Sequence, residues 1–319
     1  MHALVTGAAG FIGSRLARQL REAGHKVTGI DSFSDYYDVA LKRANADAVV
    51  RSGAALIEAD LNTVDLDRIL DGVDVIFHLA GQPGVRASWG TDFPVYSRAN
   101  IEATQRLLEA SRNNRDLRRF VYASSSSVYG NAESYPTRED VRPQPVSPYG
   151  VTKLAAEHLC TLYAMNFAVP TVSLRYFTVY GPGQRPDMAF TRFITAAVQG
   201  GELTVFGNGE QVRDFTYVDD VISANLLAAT QEVRPGTVLN VAGGSHTTVN
   251  EVLAILAELT GSELRRNNTD GVAGDVQRTG GDTAAIRSIL GWSPSVSLRE
   301  GLSRQLEWVR GQAEIAKAP

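Results

Sequence analysis

The sequence predicts a doubly wound α/β fold, a mostly parallel sheet with helices on both faces and a smaller lobe drawn largely from the later part of the chain. A strand, a glycine turn and a helix follow one another before residue 25, and short apolar runs then alternate with helical patterns up to residue 125. A serine run at 124–127 and the pair Tyr149 and Lys153 fall at the carboxyl edge of that sheet, where ligands bind in such folds.

HALVT at 2–6 is the first strand, followed at once by Gly7-Ala8-Ala9-Gly10-Phe11-Ile12-Gly13. Ile12, Leu16 and Leu20 recur every fourth residue and Gly24 closes the segment, so a helix starts inside the glycine run. The glycines permit a tight turn and bring the main chain up to a pyrophosphate, whose charge then sits at the positive helix N-terminus. KVTGID at 26–31 is the second strand and ends in Asp31. A carboxylate there accepts hydrogen bonds from both ribose hydroxyls and repels a 2′-phosphate, which favours NAD over NADP.

The stretch 32–45 has no clean period and is expected to loop over the adenosine end of the cofactor. ALIEAD at 55–60 is the third strand, with Asp60 in reach of the adenine amino group. VDVIFHLAG at 73–81 is the fourth, and His78, between Phe77 and Leu79, reads as a core or strand-end histidine. An amphipathic helix is expected over 98–112, and RRFVYAS at 118–124 is the fifth strand. Helices are expected over 188–200, 249–260 and 296–310, with VLNVAGG at 238–244 as the last strand of the sheet. The tail EIAKAP is expected to fray.

Composition bounds the function. With 44% hydrophobic and 21% charged residues and a net charge of -4, the chain has no basic footprint for nucleic acid or an anionic membrane. The single cysteine, Cys160, excludes an intrachain disulfide framework and a cysteine-cluster metal site, and no metal is expected. The start MHALVTGAAGFIGS lacks the basic region of a signal peptide, and the expectation is a cytoplasmic protein.

Tyr149 and Lys153 are four apart, one helical turn, so both face the same way. A free phenol titrates near pH 10, and an adjacent ammonium brings it closer to use as a general base. A serine hydroxyl on the facing loop would share the proton of a substrate alcohol. This is the apparatus for one half of an alcohol oxidation.

Taken together, TGAAGFIG, the Asp31 offset, HLAG, SSSSVYG, YGVTK, LRYFTVYGPGQRPDM, FGNGEQVRDFTYVDD and GDVQRT resemble, in order and over nearly the whole chain, the extended short-chain dehydrogenase/reductases. The closer likeness is to their NAD-dependent nucleotide-sugar epimerases. The resemblance implies a Rossmann-type sheet with a smaller C-terminal substrate-binding lobe. Residues 1–175 and 214–242 would form the NAD-binding domain, and 176–213 and 243–319 the nucleotide-sugar domain. It implies Ser125, Tyr149 and Lys153 as the catalytic set. NAD would be held by Gly7, Gly10, Phe11, Ile12, Gly13, Asp31, Ser32, Asp60, Leu61, Leu79, Ala80, Gly81, Asn100, Tyr149, Lys153 and Tyr176. A homodimer through the 98–112 and 149–165 helices is also implied.

Related dehydratases carry an Asp-Glu pair where this chain has Ser126 and Ser127, which cannot serve as carboxyl acid and base. Epimerisation at C4 remains. Thr178 in FTVYGP, Arg185 in RPDMA and DYYDVALKRA at 35–44 resemble UDP-glucuronate 4-epimerases, where threonine and an arginine fork would hold the sugar carboxylate. Two other readings stand beside this: Thr178 shaping the pocket, and Arg185 binding pyrophosphate or pairing with Asp187. A UDP-glucose 4-epimerase is the alternative enzyme. The remaining UDP-sugar contacts would be Arg86, Ser126, Ser127, Val205, Phe206, Gln211, Arg213 and Asp275, with Phe206 stacked on uracil or, otherwise, simply core. Where relatives have arginine this chain has Val272, and Arg86 or Arg278 is expected to take its place.

Overall fold

The structure of the chain, a computed structural model, describes residues 1–271 and 274–315. Strand β1 (His2–Thr6) lies inside a sheet because Ala3, Leu4 and Val5 are apolar towards both faces, the pattern of a strand covered by helices on each side. With it run β2 (Lys26–Asp31), β3 (Ala55–Glu58), β4 (Val75–His78), β5 (Arg119–Ser125), β6 (Thr171–Tyr176) and an edge strand, Thr237–Val241. All pairings in this seven-stranded sheet are parallel, in the spatial order 237–241, β6, β5, β4, β1, β2, β3. The direction of travel reverses between β1 and β4. A crevice therefore opens beyond their carboxyl ends, where Thr6 stands in register with His78.

The glycine turn forms as expected. Gly7 has φ +69°, and a Cβ on Gly13 would fall 2.1 Å from the Gly7 carbonyl oxygen, so the turn and helix α1 (Phe11–Glu22) interlock only with glycine there. Phe11, Leu16, Ala17 and Leu20 bury the inner face of α1, each larger side chain contributing about 1.5–3 kcal/mol of apolar burial.

The expected loop over 32–45 is corrected: the chain becomes helical at Val39, in α2 (Val39–Arg51), where the Asp38 carboxylate accepts the Ala40 N–H at 2.9 Å. Its packed face is Lys42, Ala46 and Val49, so a lysine stands where the apolar period should continue. The Lys42 ammonium donates to the Ser34 carbonyl at 2.6 Å and hydroxyl at 2.9 Å.

The helix expected over 98–112 starts earlier, at Phe93, and runs through a π turn, Ser97–Glu102, into Ala103–Ser111. Pro148–Phe167 begins with the Ser147 hydroxyl accepting the Gly150 N–H at 3.1 Å and ends where Ala168 turns left-handed, φ +57°. Cys160 lies on its inner face, fully buried among Leu107, Leu108 and Phe120. Beyond the sheet, 203–206 pairs with 266–269, and 212–214 runs antiparallel to 246–248. The expected helices are Ala189–Gln199, Val249–Thr260 and Leu298–Ile315, and a further helix spans Val218–Thr230. The last helix runs into the tail expected to fray; residues 316–319 of that tail, like Val272, lie outside the described residues. Among the described residues no helix is long and apolar enough to cross a membrane.

Candidate active site

One cavity of about 640 Å³ opens along the carboxyl ends of the strands. Its wall contains all the residues expected to hold the dinucleotide, from Gly7, Gly10, Phe11, Ile12 and Gly13 through Asp31, Ser32, Asp60 and Leu61 to Leu79, Ala80, Gly81, Asn100 and Tyr176. Ser125, Tyr149 and Lys153 line it too, as do Ser126, Ser127, Thr178 and Arg185. The remaining expected contacts, Arg86, Val205, Phe206, Gln211, Arg213 and Asp275, lie outside this wall.

The dinucleotide end is built from main chain. Gly10 caps α1 without a side chain, leaving the first N–H groups of that helix facing the turn. Asp31 at the end of β2 accepts the Ala9 N–H at 3.0 Å and the Phe33 N–H at 2.8 Å, which fixes its carboxylate at the cavity edge. Turn, helix terminus and carboxylate fit a dinucleotide with unmodified ribose hydroxyls. Asp60, expected to reach adenine, lies in the cavity wall and also accepts from Arg98, whose Nη2 donates at 3.0 Å. Its neighbour Asn62 donates its amide to Asp60 and to the Arg98 carbonyl, and its buried Oδ1 has no partner among the described residues. Asn62 lines the same wall as Asp60. Asn100 lines the cavity with a fully engaged amide, accepting from Gln82 N–H at 2.7 Å and donating to the Gln82 carbonyl and the Thr152 hydroxyl. Tyr176 likewise donates its hydroxyl to Asn225.

Tyr149 is half-buried at the start of its helix. Burial pushes its phenol above the usual value, while the Ser125 hydroxyl and the Arg185 guanidinium pull it back. Arg185 thus adds a second cation to the wall that holds Tyr149 and Lys153. The Lys153 ammonium sits one turn further along, 4.6 Å from the centre of the Tyr122 ring, and burial brings it down to about 8. Ser125 ends β5 and its hydroxyl accepts the Ser127 N–H at 3.1 Å. His78 is wholly buried, in agreement with its reading as a core residue: the Thr104 hydroxyl donates to the Asn100 carbonyl at 2.6 Å and faces Nε2 at 2.9 Å, so Nε2 carries the proton. Its Nδ1 then accepts from the Thr6 hydroxyl at 2.8 Å.

Arg185 forms a two-pronged pair with Asp187, both contacts at 2.9 Å, beside Thr178 and Tyr149 in the cavity wall. The alternative of an Asp187 partner is thus realised in this structure.

Outside the cavity wall a second cluster forms around Asp275. Arg213 donates to Asp275 Oδ1 at 2.5 Å, and Arg86 lies 3.7 Å from Oδ2. The Arg86 guanidinium covers the Phe206 ring at 3.8 Å, and Arg192, which no motif in the sequence marks, approaches it at 5.7 Å. Of the two arginines named as substitutes, Arg86 joins this cluster. Arg278 packs on Tyr135 instead. Strand 203–206 turns Leu203 and Val205 into the core, while Phe206 is half-buried on the other face. Gln211 donates to the Phe206 carbonyl at 2.6 Å, and its buried Oε1 has no partner among the described residues. No cluster of His, Cys, Asp or Glu among the described residues is placed to hold a metal.

Known proteins share this architecture. The chain is similar to a UDP-glucuronate 4-epimerase of Thermodesulfobacterium geofontis (strain OPF15), with 35% identity over 99% of this chain and 98% of that one. It is 42% identical to an uncharacterized UDP-glucose epimerase of Bacillus subtilis (strain 168), over 97% of this chain and 98% of that protein. The solved structure of UDP-glucuronic acid 4-epimerase from Bacillus cereus, in complex with UDP-glucuronic acid and NAD, superposes with a TM-score of 0.94 at 42% identity, covering 98% of this chain and 100% of that one. The family model of the NAD dependent epimerase/dehydratases matches residues 3–242. By sequence and by fold, the chain belongs to the NAD dependent epimerase/dehydratase family.

Proposed function

We propose that the protein is an NAD-dependent UDP-sugar 4-epimerase that interconverts UDP-glucuronate and UDP-galacturonate. The observation that carries this reading is the meeting of Ser125, Tyr149 and Lys153 with Thr178 and Arg185 in the wall of one cavity whose other end suits a dinucleotide. NAD, when bound, supplies the acceptor for the C4 hydride and its donor on return to the other face. Tyr149 takes the O4 proton, and Ser125 hydrogen-bonds O4 and helps the proton pass. Lys153 is turned to the cavity to hold the nicotinamide ribose. Thr178 and Arg185 grip the C6 carboxylate, which keeps the 4-keto sugar from losing carbon dioxide while it turns. Arg86, Arg192 and Arg213 supply the positive charge a diphosphate needs, and Gln211 Oε1 is an acceptor suited to a uracil N–H.

A second reading, UDP-glucose as substrate, is favoured by the Arg185–Asp187 pair, since a neutral sugar leaves that arginine on Asp187. The test is to incubate the purified protein with UDP-glucuronate and, separately, with UDP-glucose, with no added cofactor, and to follow both by proton NMR. A galacto-configured anomeric signal from glucuronate alone is the expected result. Conversion of glucose alone discards the carboxylate grip, and conversion of neither, with NAD supplied, discards the epimerase. Tyr149→Phe, as the control, should lower turnover by about 10² to 10⁴, the usual worth of a positioned acid or base.

The division into a dinucleotide domain (1–175, 214–242) and a sugar domain (176–213, 243–319) belongs to this reading. So does a homodimer through the 98–112 and 149–165 helices, on the second of which Val151, Leu162 and Met165 stand exposed. The cytoplasm is its proposed site of action, in keeping with a single, buried, unpaired thiol.

A further inference from the structure

Tyr149, Lys153 and Glu157 recur every four residues and lie along one stripe of the 148–167 helix. The first two line the cavity, while Glu157 is only 2% exposed and plays no part in the chemistry described so far. Its Oε2 accepts from the Ser124 hydroxyl at 2.6 Å and from Arg175 Nε at 2.9 Å, and its Oε1 accepts from Arg175 Nη2 at 2.6 Å. Arg175 is on β6, in register beside Ser124 of β5. Its Nη1 donates to the Tyr129 hydroxyl at 2.7 Å, and that hydroxyl donates in turn to Asn240 Oδ1 at 2.7 Å.

The connections converge on SSSSVYG. Ser124 precedes Ser125 in the chain and Tyr129 follows it, so one buried ion pair holds the segment at both ends. The carboxylate of that pair rides on the helix that carries Tyr149. A buried ion pair is weak ground for stability, because well-packed apolar groups commonly do as well. Apart from one contact of Arg175 Nη1 with the Glu139 carbonyl at 3.2 Å, the remaining hydrogen bonds of this pair go to the ends of a reactive loop, which gives it another use.

We propose that Glu157 and Arg175 are positioning residues that fix the Ser125 hydroxyl against Tyr149, with Ser124 and Tyr129 as the two pins. The inference rests on the epimerase reading above. Chain geometry gives it force, since neighbouring Cα atoms are fixed about 3.8 Å apart and Ser124 is bonded directly to Ser125. Glu157 also helps the buried Lys153 ammonium keep its proton, against a desolvation that works the other way.

Breaking the ion pair itself risks unfolding the chain, so the test removes one pin at a time. Ser124→Ala and Tyr129→Phe delete a single hydroxyl each and leave Glu157 and Arg175 paired, while Ser124→Thr keeps the hydroxyl. Turnover with UDP-glucuronate is measured per bound NAD, alongside KM and the melting temperature. Ser124→Ala and Tyr129→Phe should each lower kcat about tenfold or more while KM stays within about twofold, the signature of misplaced reacting groups, and Ser124→Thr should restore most of the loss. Unchanged kcat per loaded site in both deletions overturns the positioning role. So does a loss that merely follows a lower melting temperature and is not rescued by threonine. A wild-type protein that does not epimerise overturns the epimerase reading and this inference with it, whereas active wild type with indifferent variants overturns the inference alone.

Discussion

His78 ties the ends of β1 and β4 together, and its chemistry makes it a sensor of acid. Burial, with the Lys153 charge beside it, pushes its imidazole down to about 3. Between the unfolded value near 6.5 and the folded one, the unfolded chain binds a proton that the folded chain refuses, so stability falls as pH drops through that window. The slope from this one group is about 1.4 kcal/mol per pH unit. Urea unfolding at pH 7, 5.5 and 4.5 should show it, and His78→Gln should flatten the acid limb; an unaltered limb would place the acid sensitivity elsewhere. The core placement of His78 was legible because Phe77 and Leu79 flank it. Asn62, Arg192 and Glu157 were not legible, since each takes its meaning from neighbours far away in sequence: the Arg98 carbonyl, Phe206 and Arg175.

Among the elements, the strand–turn–helix at the N-terminus was legible to within a residue or two, because glycine leaves few alternatives to the path it permits. Gly13→Ala tests that claim. The added methyl meets the Gly7 carbonyl at 2.1 Å, backbone against backbone, so the turn has to open. The expected outcome is a loss of about 1–3 kcal/mol, the usual cost of overpacking, with NAD no longer retained through gel filtration. Retention at the wild-type level would show that the turn can yield without losing its ligand. Helix α2 was missed for the opposite reason, since Lys42 occupies an inward position and breaks the apolar period. The helix Val218–Thr230 was missed because buried residues spread round it, Val218, Val221, Ile222, Asn225 and Ala228 among them, and an all-round pattern carries no helical period.

For the molecule as a whole, the alternation of strands and helices was enough to give the parallel sheet. The joins between distant segments were not readable. Asp214 is fully buried and accepts the N–H groups of Gly244 and Gly281, stitching three stretches that no local pattern relates. The proposed homodimer belongs at this scale. Met165 is 77% exposed and Leu162 52%, on the helix that carries Tyr149. Light scattering of Leu162→Glu with Met165→Glu should report a monomer where the wild type reports a dimer, and a dimer in both would move the interface elsewhere.

The burial of Cys160 makes the molecule its own reporter. The chain has one thiol, it lies on the inner face of the helix that bears Tyr149 and Lys153, and burial holds it firmly in the unreactive protonated form. A thiol reagent can reach it only when the packing around that helix opens, so the labelling rate counts openings of the framework that carries Tyr149 and Lys153. A dinucleotide or sugar that braces the helix would slow the count without any label being added to the protein beforehand.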